Sequence, residues 1–229
     1  MKAIGILGGM GPAATVDLHA KIIRATPATR DQDHLRILID SNPALPDRNA
    51  ALDGTGPSPG PALAAMARGL ERSGAAVLVM ACNTAHAFQA DIEAAVTIPF
   101  MSMIEATVDA ALAQAPGAKR VGVLAVTGCL RANLHQAAFA RRGVATFVTD
   151  GADHQSLMDA IARIKAGDTG PDVRDTLRSL AAGFITKGCD AIVAGCTEAP
   201  LALRQEDVGA PFIDSTAALA AAVAAFARR

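Results

Sequence analysis

The sequence predicts an α/β fold with parallel sheets, organised as two similar half-molecules. Short apolar runs alternate with longer amphipathic ones along the chain, the rhythm of strand–helix–strand units. The chain has 229 residues, enough for one large domain or two of roughly 100 residues each. A stretch in the first half is also echoed in the second.

Taken in order, the first apolar run, Lys2–Leu7, ends in the glycine turn GGMGP and reads as a strand. Pro12 suits the first turn of a helix over Pro12–Thr26. Leu35–Asp40 follows as the second strand. Asp53–Pro61, DGTGPSPGP, is too rich in Gly and Pro for regular structure and reads as a loop, either a solvated connection or a lid. Pro61 opens a helix to Ser73, and Ala76–Met80 is the third strand. Helices are expected over Ala85–Ala95 and Ser102–Gln114, then a strand over Val121–Ala125 and a helix over Ala132–Arg142. A strand at Ala145–Val148, helices at Ser156–Ala166 and Pro171–Lys187, and a strand at Ala191–Ala194 complete the alternation. The last helix, Thr216–Arg228, has Asp214 and Ser215 as caps and Arg228 and Arg229 at its negative end.

The echo lies between GAAVLVMACNT, residues 74–84, and GCDAIVAGCTE, residues 188–198. In each, a Gly stands eight positions before a Cys, with an apolar strand between them. A Thr follows within two residues, and a second strand is announced further on by Pro99-Phe100 or by Pro211-Phe212. Two α/β units resemble one another by chance often enough. Matched cysteines at two strand ends are harder to dismiss.

Composition excludes several function classes. Half the residues are hydrophobic, with no Trp or Tyr, so the core is aliphatic. The formal net charge is −1, and no basic cluster exceeds a pair, which argues against nucleic acid as a partner. The N-terminus lacks the pattern of a signal peptide, and no uncharged apolar stretch reaches spanning length, so the expectation is a cytoplasmic protein without membrane association. The four cysteines form neither C-x-x-C nor the paired short spacings of a zinc site, so free thiols and no metal are expected.

Cys82 and Cys196 carry the chemistry. Each falls at the carboxyl end of a strand, where open α/β sheets bind ligands. Each also precedes a helix start, whose partial positive charge favours a thiolate and an anion. The anion would sit against Asn83-Thr84 in one half and Thr197-Glu198 in the other. One sulfur on each side of a ligand is the arrangement that racemisation needs: one takes the α-proton from one face and the other returns a proton to the opposite face. Cys129 and Cys189 read as small buried hydrophobes. Arg48, just after the second strand, is either a fork for a carboxylate or an exposed structural residue. Lys165 is either a second cation or a helix-end charge. His86 and Glu198 either tune the cysteines beside them or simply begin helices.

With GGMGP (8–12), PDRN (46–49), MACNTAHAF (80–88) and AGCTE (194–198) in this order and spacing, the chain resembles the aspartate racemases of the aspartate/glutamate racemase superfamily over nearly its whole length. The resemblance implies two Rossmann-like three-layer domains related by pseudosymmetry, with the active site in the cleft between them. The first would comprise residues 1–101 and 214–229 with Cys82, the second residues 102–213 with Cys196, and the C-terminal helix would return to the first. It further implies a homodimer that uses neither pyridoxal phosphate nor metal. Cys82 and Cys196 would be the catalytic pair. Asn83, Thr84, Thr127 and Thr197 would line the α-carboxylate site, with Met10 and Glu198 also at the substrate. Arg48 and Lys165 would hold the side-chain carboxylate of aspartate. The chain departs from the family pattern at Ala81, Asn49, Cys129, Ala132 and His135, close to the expected substrate wall.

Other readings keep the fold and change the substrate: a broad-specificity amino-acid racemase, a hydantoin racemase or a maleate isomerase. An arylmalonate decarboxylase needs only one of the cysteines. A ligand sensor without catalysis would need neither thiol.

Overall fold

The computed structural model describes residues 1–228, and Arg229 lies outside the described residues. By their internal contacts the residues fall into two units, Met1–Ala106 with the segment from Thr216 onward, and Thr107–Ser215.

The chain begins with β1 (Ile4–Gly8), α1 (Pro12–Ala25), β2 (Ile37–Ser41), α2 (Arg48–Leu52), α3 (Gly60–Arg72), β3 (Val77–Met80) and α4 (Gln89–Glu93). Helix α5 (Met103–Gln114) carries it into the second unit, which holds β4 (Arg120–Leu124), α6 (Thr127–Arg131), α7 (Leu134–Ala140) and β5 (Ala145–Val148). There follow α8 (Gly151–Lys165), α9 (Pro171–Thr186), β6 (Ala191–Ala194), α10 (Ala199–Ala202) and β7 (Phe212–Asp214). The last helix is α11 (Ser215–Ala227).

Both sheets are parallel throughout, in the order β2–β1–β3 in the first unit and β5–β4–β6–β7 in the second. The expected α/β fold with parallel sheets is therefore present. Burial explains the strand sequences. Every residue of β1, β3 and β6 is buried, so these strands read as continuous apolar runs. The edge strands β2 and β5 are only partly buried and carry polar residues. In the first unit, Ile4, Ile6, Leu18, Ile22, Val77 and Val79 pack with Leu219 and Val223 of α11. The C-terminal helix thus returns to the first unit, as expected. A second cluster on that sheet joins Leu7, Leu63, Leu70, Leu78 and Met80. Each such fully buried aliphatic side chain contributes about 1.5–3 kcal/mol relative to an exposed one.

The echo in the sequence has a structural counterpart. Gly74 (φ 93°) and Gly188 (φ 81°) both end the preceding helix in a left-handed conformation that glycine adopts without strain. Leu78 pairs with Phe100, and Ile192 with Phe212. These two residues stand at the same distance before Cys82 and Cys196. Both Pro-Phe segments thus lie beside the strand that leads to a cysteine. In the second unit the segment continues as β7. In the first it makes a single bridge, because the chain turns into α5 at Met103.

Three helices differ from expectation. Ala85–Ala95 is a 3₁₀ turn over Thr84–Phe88 followed by the short α4. In an α-helix the Cys82 carbonyl would accept from the His86 N–H. Here the His86 ring takes that carbonyl at 2.7 Å, and the His86 N–H goes to Asn83 O at 3.0 Å, which tightens the turn. The helix expected over Ala132–Arg142 begins only at Leu134, because Asn133 adopts φ 55° and separates α7 from the short α6 (Thr127–Arg131), which was not expected. Helix α8 starts at Gly151, ahead of the expected Ser156, because its first turn is exposed and shows no apolar periodicity. The loop before α3 is irregular from Asp53 to Pro59. No helix among the described residues is long and apolar enough to cross a membrane.

Candidate active site

The two cysteines belong to different units. In the first, β1 and β3 run in register with Leu7 beside Met80, so GGMGP and Cys82 leave the sheet at the same end. Thr15 on α1 ties the glycine turn down. Its hydroxyl accepts from the Gly9 N–H at 2.9 Å and donates to the Gly11 carbonyl at 3.2 Å. Gly9 has φ 92°, and a Cβ there would stand 2.4 Å from the Asn42 backbone, so a side chain at this turn would push β1 and the β2 end apart. Met10 is buried in the same cluster as Leu45, Cys82 and Ala85. Cys82, Asn83 and Thr84 are all buried.

Arg48 begins α2, whose N-cap is Asp47, with a carboxylate accepting from the Ala50 N–H at 2.8 Å. This short helix was not expected, although Asp before it is a good cap. Helix α2 packs beside the 3₁₀ turn that follows Cys82. Arg48 is half-buried and donates to the Pro46 carbonyl of its own loop at 3.1 Å.

His86 has a clear structural role. Its Nδ1–H donates to the Cys82 carbonyl, and its Nε2 accepts the N–H of Met103, the first residue of α5, at 3.0 Å. The ring therefore fixes the Cys82 backbone against the start of α5. Phe100 packs on it edge-on at 5.5 Å. Burial pushes His86 from its ordinary 6.5 down to about 4, so the ring is neutral near pH 7. The unfolded chain then binds more protons than the folded one between those values, and stability rises with pH across that window. Acidification from pH 6.5 to about 4 is expected to cost about 3 kcal/mol through His86 alone. Urea unfolding of the protein and of His86→Gln across this range checks it: the variant's profile should be flatter by that amount.

In the second unit, β4 and β6 run in register with Leu124 beside Ala194, so Thr127 and Cys196 emerge at the same sheet end. Cys196, Thr197 and Glu198 are buried. The Cys196 thiol donates to Glu198 Oε2 at 3.0 Å, and the Thr197 hydroxyl donates to the same oxygen at 3.2 Å. Lys165, at the end of α8, places Nζ 3.9 Å from Glu198 Oε1 and is about half exposed. The structure thus brings Lys165, Cys196, Thr197 and Glu198 together. Thr127 is held separately: its hydroxyl lies 2.8 Å from His154 Nε2. Nothing in the sequence signalled His154, which is a helix residue with no motif around it.

The expectation that helix starts lower the thiol pKa values is corrected at Cys196. Burial pushes this thiol well above its ordinary value, the negative charge of Glu198 raises it further, and the hydrogen bond to Glu198 adds to this. Helix α10 has four residues, too short for much dipole, and the Glu198 backbone N–H and then Lys165 offset only part of the effect. Cys196 is therefore a protonated thiol with a carboxylate waiting on its proton. Cys189 is likewise pushed up, chiefly by burial, as suits a structural thiol. No disulfide joins the four cysteines. Among the described residues no cluster of His, Cys, Asp and Glu is arranged to hold a metal ion.

Comparison with known proteins adds an independent line. The family model for Asp/Glu/hydantoin racemases matches residues 7–223. The structure superposes on the aspartate racemase of Picrophilus torridus with a TM-score of 0.84 and 30% identity, over 100% of this chain and 95% of that one. The broad-specificity amino-acid racemase RacX of Bacillus subtilis is 27% identical over 95% of this chain and 94% of its own length. A glutamate racemase of Pseudomonas aeruginosa is 38% identical over 57% of this chain, a match spanning only 48% of that enzyme.

Proposed function

The chain belongs to the Asp/Glu/hydantoin racemase family, and from that premise we propose that it interconverts the enantiomers of aspartate by proton transfer at the α-carbon between Cys82 and Cys196. The observation that carries the reading is the equivalent placement of the two thiols. Each follows a buried parallel strand, at the same distance beyond the residue paired to a Pro-Phe segment. Likeness to an aspartate racemase over the full chain supports the substrate class.

In the mechanism, one sulfur is a thiolate and removes the α-proton: the Cα–H bond breaks and an S–H bond forms. The other is a thiol and delivers its proton to the opposite face, leaving a thiolate. The roles are exchanged for the other enantiomer. Cys196 is poised as the donor, since burial and Glu198 hold its proton in place. When Cys196 must act as the base, Glu198 is the group in reach to receive its proton first. Asn83, Thr84, Thr127 and Thr197 supply donors to the α-carboxylate. Arg48 and Lys165 supply charge for a side-chain carboxylate, and Met10 packs beside Cys82 as an apolar wall. The thiols carry the proton transfer without pyridoxal phosphate or metal, so a rate that depended on either would contradict the reading.

Arg48→Ala is expected to raise KM for aspartate by about 10–100-fold, the worth of a charge-assisted bidentate contact, while KM for a neutral amino acid changes little. Steady-state racemisation of aspartate and alanine by the variant checks this. Equal losses on both would make Arg48 a structural residue of its loop. A second reading, broad specificity, is favoured by the end-to-end match to RacX. It predicts comparable turnover of several amino acids and little discrimination by Arg48.

A further inference from the structure

Thr127 stands at the same sheet end as Cys196, and its hydroxyl is part of a chain of polar contacts that the proposed proton transfer does not use. The Thr127 hydroxyl lies 2.8 Å from His154 Nε2 and donates toward Met158 Sδ at 3.7 Å. On the far side of the ring, His154 Nδ1 lies 2.9 Å from the Thr149 hydroxyl. Thr149 is buried, at the end of β5, and His154 sits in the first turn of α8.

The Thr127 hydroxyl has one proton and two acceptors in reach, His154 Nε2 and Met158 Sδ, and the ring tautomer decides between them. With the ring proton on Nε2, Nδ1 accepts from Thr149, the Thr127 oxygen accepts from His154, and the Thr127 proton is left to a thioether sulfur, one of the weakest acceptors in a protein. An arriving carboxylate is a far better acceptor and takes that proton without breaking the bond to His154. The opposite ring tautomer would spend the Thr127 proton on Nε2 and leave the oxygen able only to accept, which suits an ammonium and repels a carboxylate.

We infer that His154 is a positioning residue: through its Nε2–H it holds the Thr127 hydroxyl as a hydrogen-bond donor aimed at an anionic group of the substrate, and Thr149 donates to Nδ1 in the tautomer that makes this possible. This rests on the racemase reading, with a carboxylate of the amino acid as the anion. The interaction is made with substrate and transition state alike, so its loss appears in KM and hardly in kcat.

A double-mutant cycle on the full chain tests it, with racemisation of aspartate, or of whichever amino acid the wild type turns over, as the readout. His154→Ala is expected to raise KM about tenfold with kcat changed less than about threefold. Thr127→Val should raise KM by a similar factor, and adding His154→Ala to it should change KM less than about twofold, because the hydroxyl through which His154 acts is gone. His154→Gln, whose amide N–H reaches the place of Nε2, should recover most of the wild-type KM. Thermal unfolding of each variant guards against a loss through folding. Independent, multiplying losses in the two single variants, or a fall in kcat that Gln does not rescue, would overturn the inference while leaving the racemase reading intact. A wild-type protein that racemises no amino acid would instead overturn the racemase reading itself.

Discussion

Replacing Cys82 or Cys196 by Ser is expected to lower racemisation by about 10²–10⁴-fold, the range for losing one positioned acid–base group. Serine keeps the shape and the hydrogen-bonding capacity of the site, so folding should be little changed. Its hydroxyl cannot form an oxyanion near neutral pH, and it is a poor proton donor to a carbanion. Both substitutions must hurt, since in the proposed mechanism each turnover uses one sulfur as base and the other as acid. The double variant should be hardly worse than either single one, because the two thiols act as a unit. Near-normal turnover by either single variant, with circular dichroism showing a native fold, would refute the two-thiol assignment.

Glu198→Gln is the second large effect. The carboxylate accepts the Cys196 proton at 3.0 Å, and its negative charge adds to the burial that raises this thiol. Gln keeps the size and one acceptor oxygen and removes the charge. The Cys196 thiol should therefore ionise at lower pH in the variant, which ultraviolet thiolate absorbance in a Cys82→Ser/Cys129→Ala/Cys189→Ala background would follow. Racemisation should nevertheless fall by about 10²-fold, because Cys196 loses the group that receives its proton when it must act as base. The two enantiomers are equal in energy, so kcat/KM falls by the same factor in both directions. The asymmetry appears in the isotope effect: with α-deuterated substrate it should grow for the enantiomer whose proton Cys196 removes. An unchanged rate would make Glu198 a strut for the buried Cys196–Thr197 segment and nothing more.

Much of the fold was legible because its central strands are short, apolar and bounded by Gly or Pro. Ala145–Val148 and Ala191–Ala194 coincide with β5 and β6. The first-turn prolines at 12 and 61 do open α1 and α3. The sequence echo was a reliable guide to topology, since the two Pro-Phe segments pair with equivalent residues of β3 and β6. Local pattern failed where a tertiary contact replaced a backbone bond. His86 took the Cys82 carbonyl and made a 3₁₀ turn where periodicity implied an α-helix. The strand-end positions of Cys82 and Cys196 could be read from the chain. The direction in which Cys196 is shifted could not, because it depends on how deeply the thiol is buried and on where the Glu198 carboxylate turns. The His154–Thr127 pairing joins residues on α8 and α6 and is invisible to any reading of spacing along the chain.

In the proposed reaction the two thiols exchange the proton at the α-carbon of an amino acid. Incubating the reduced protein in heavy water with L-aspartate, D-aspartate, L-glutamate and several neutral amino acids, without added cofactor, tests it most directly. The expected result is deuterium at Cα of aspartate together with inversion of configuration, abolished in Cys82→Ser and in Cys196→Ser. Exchange on none of these substrates, or exchange that survives loss of either thiol, would contradict it.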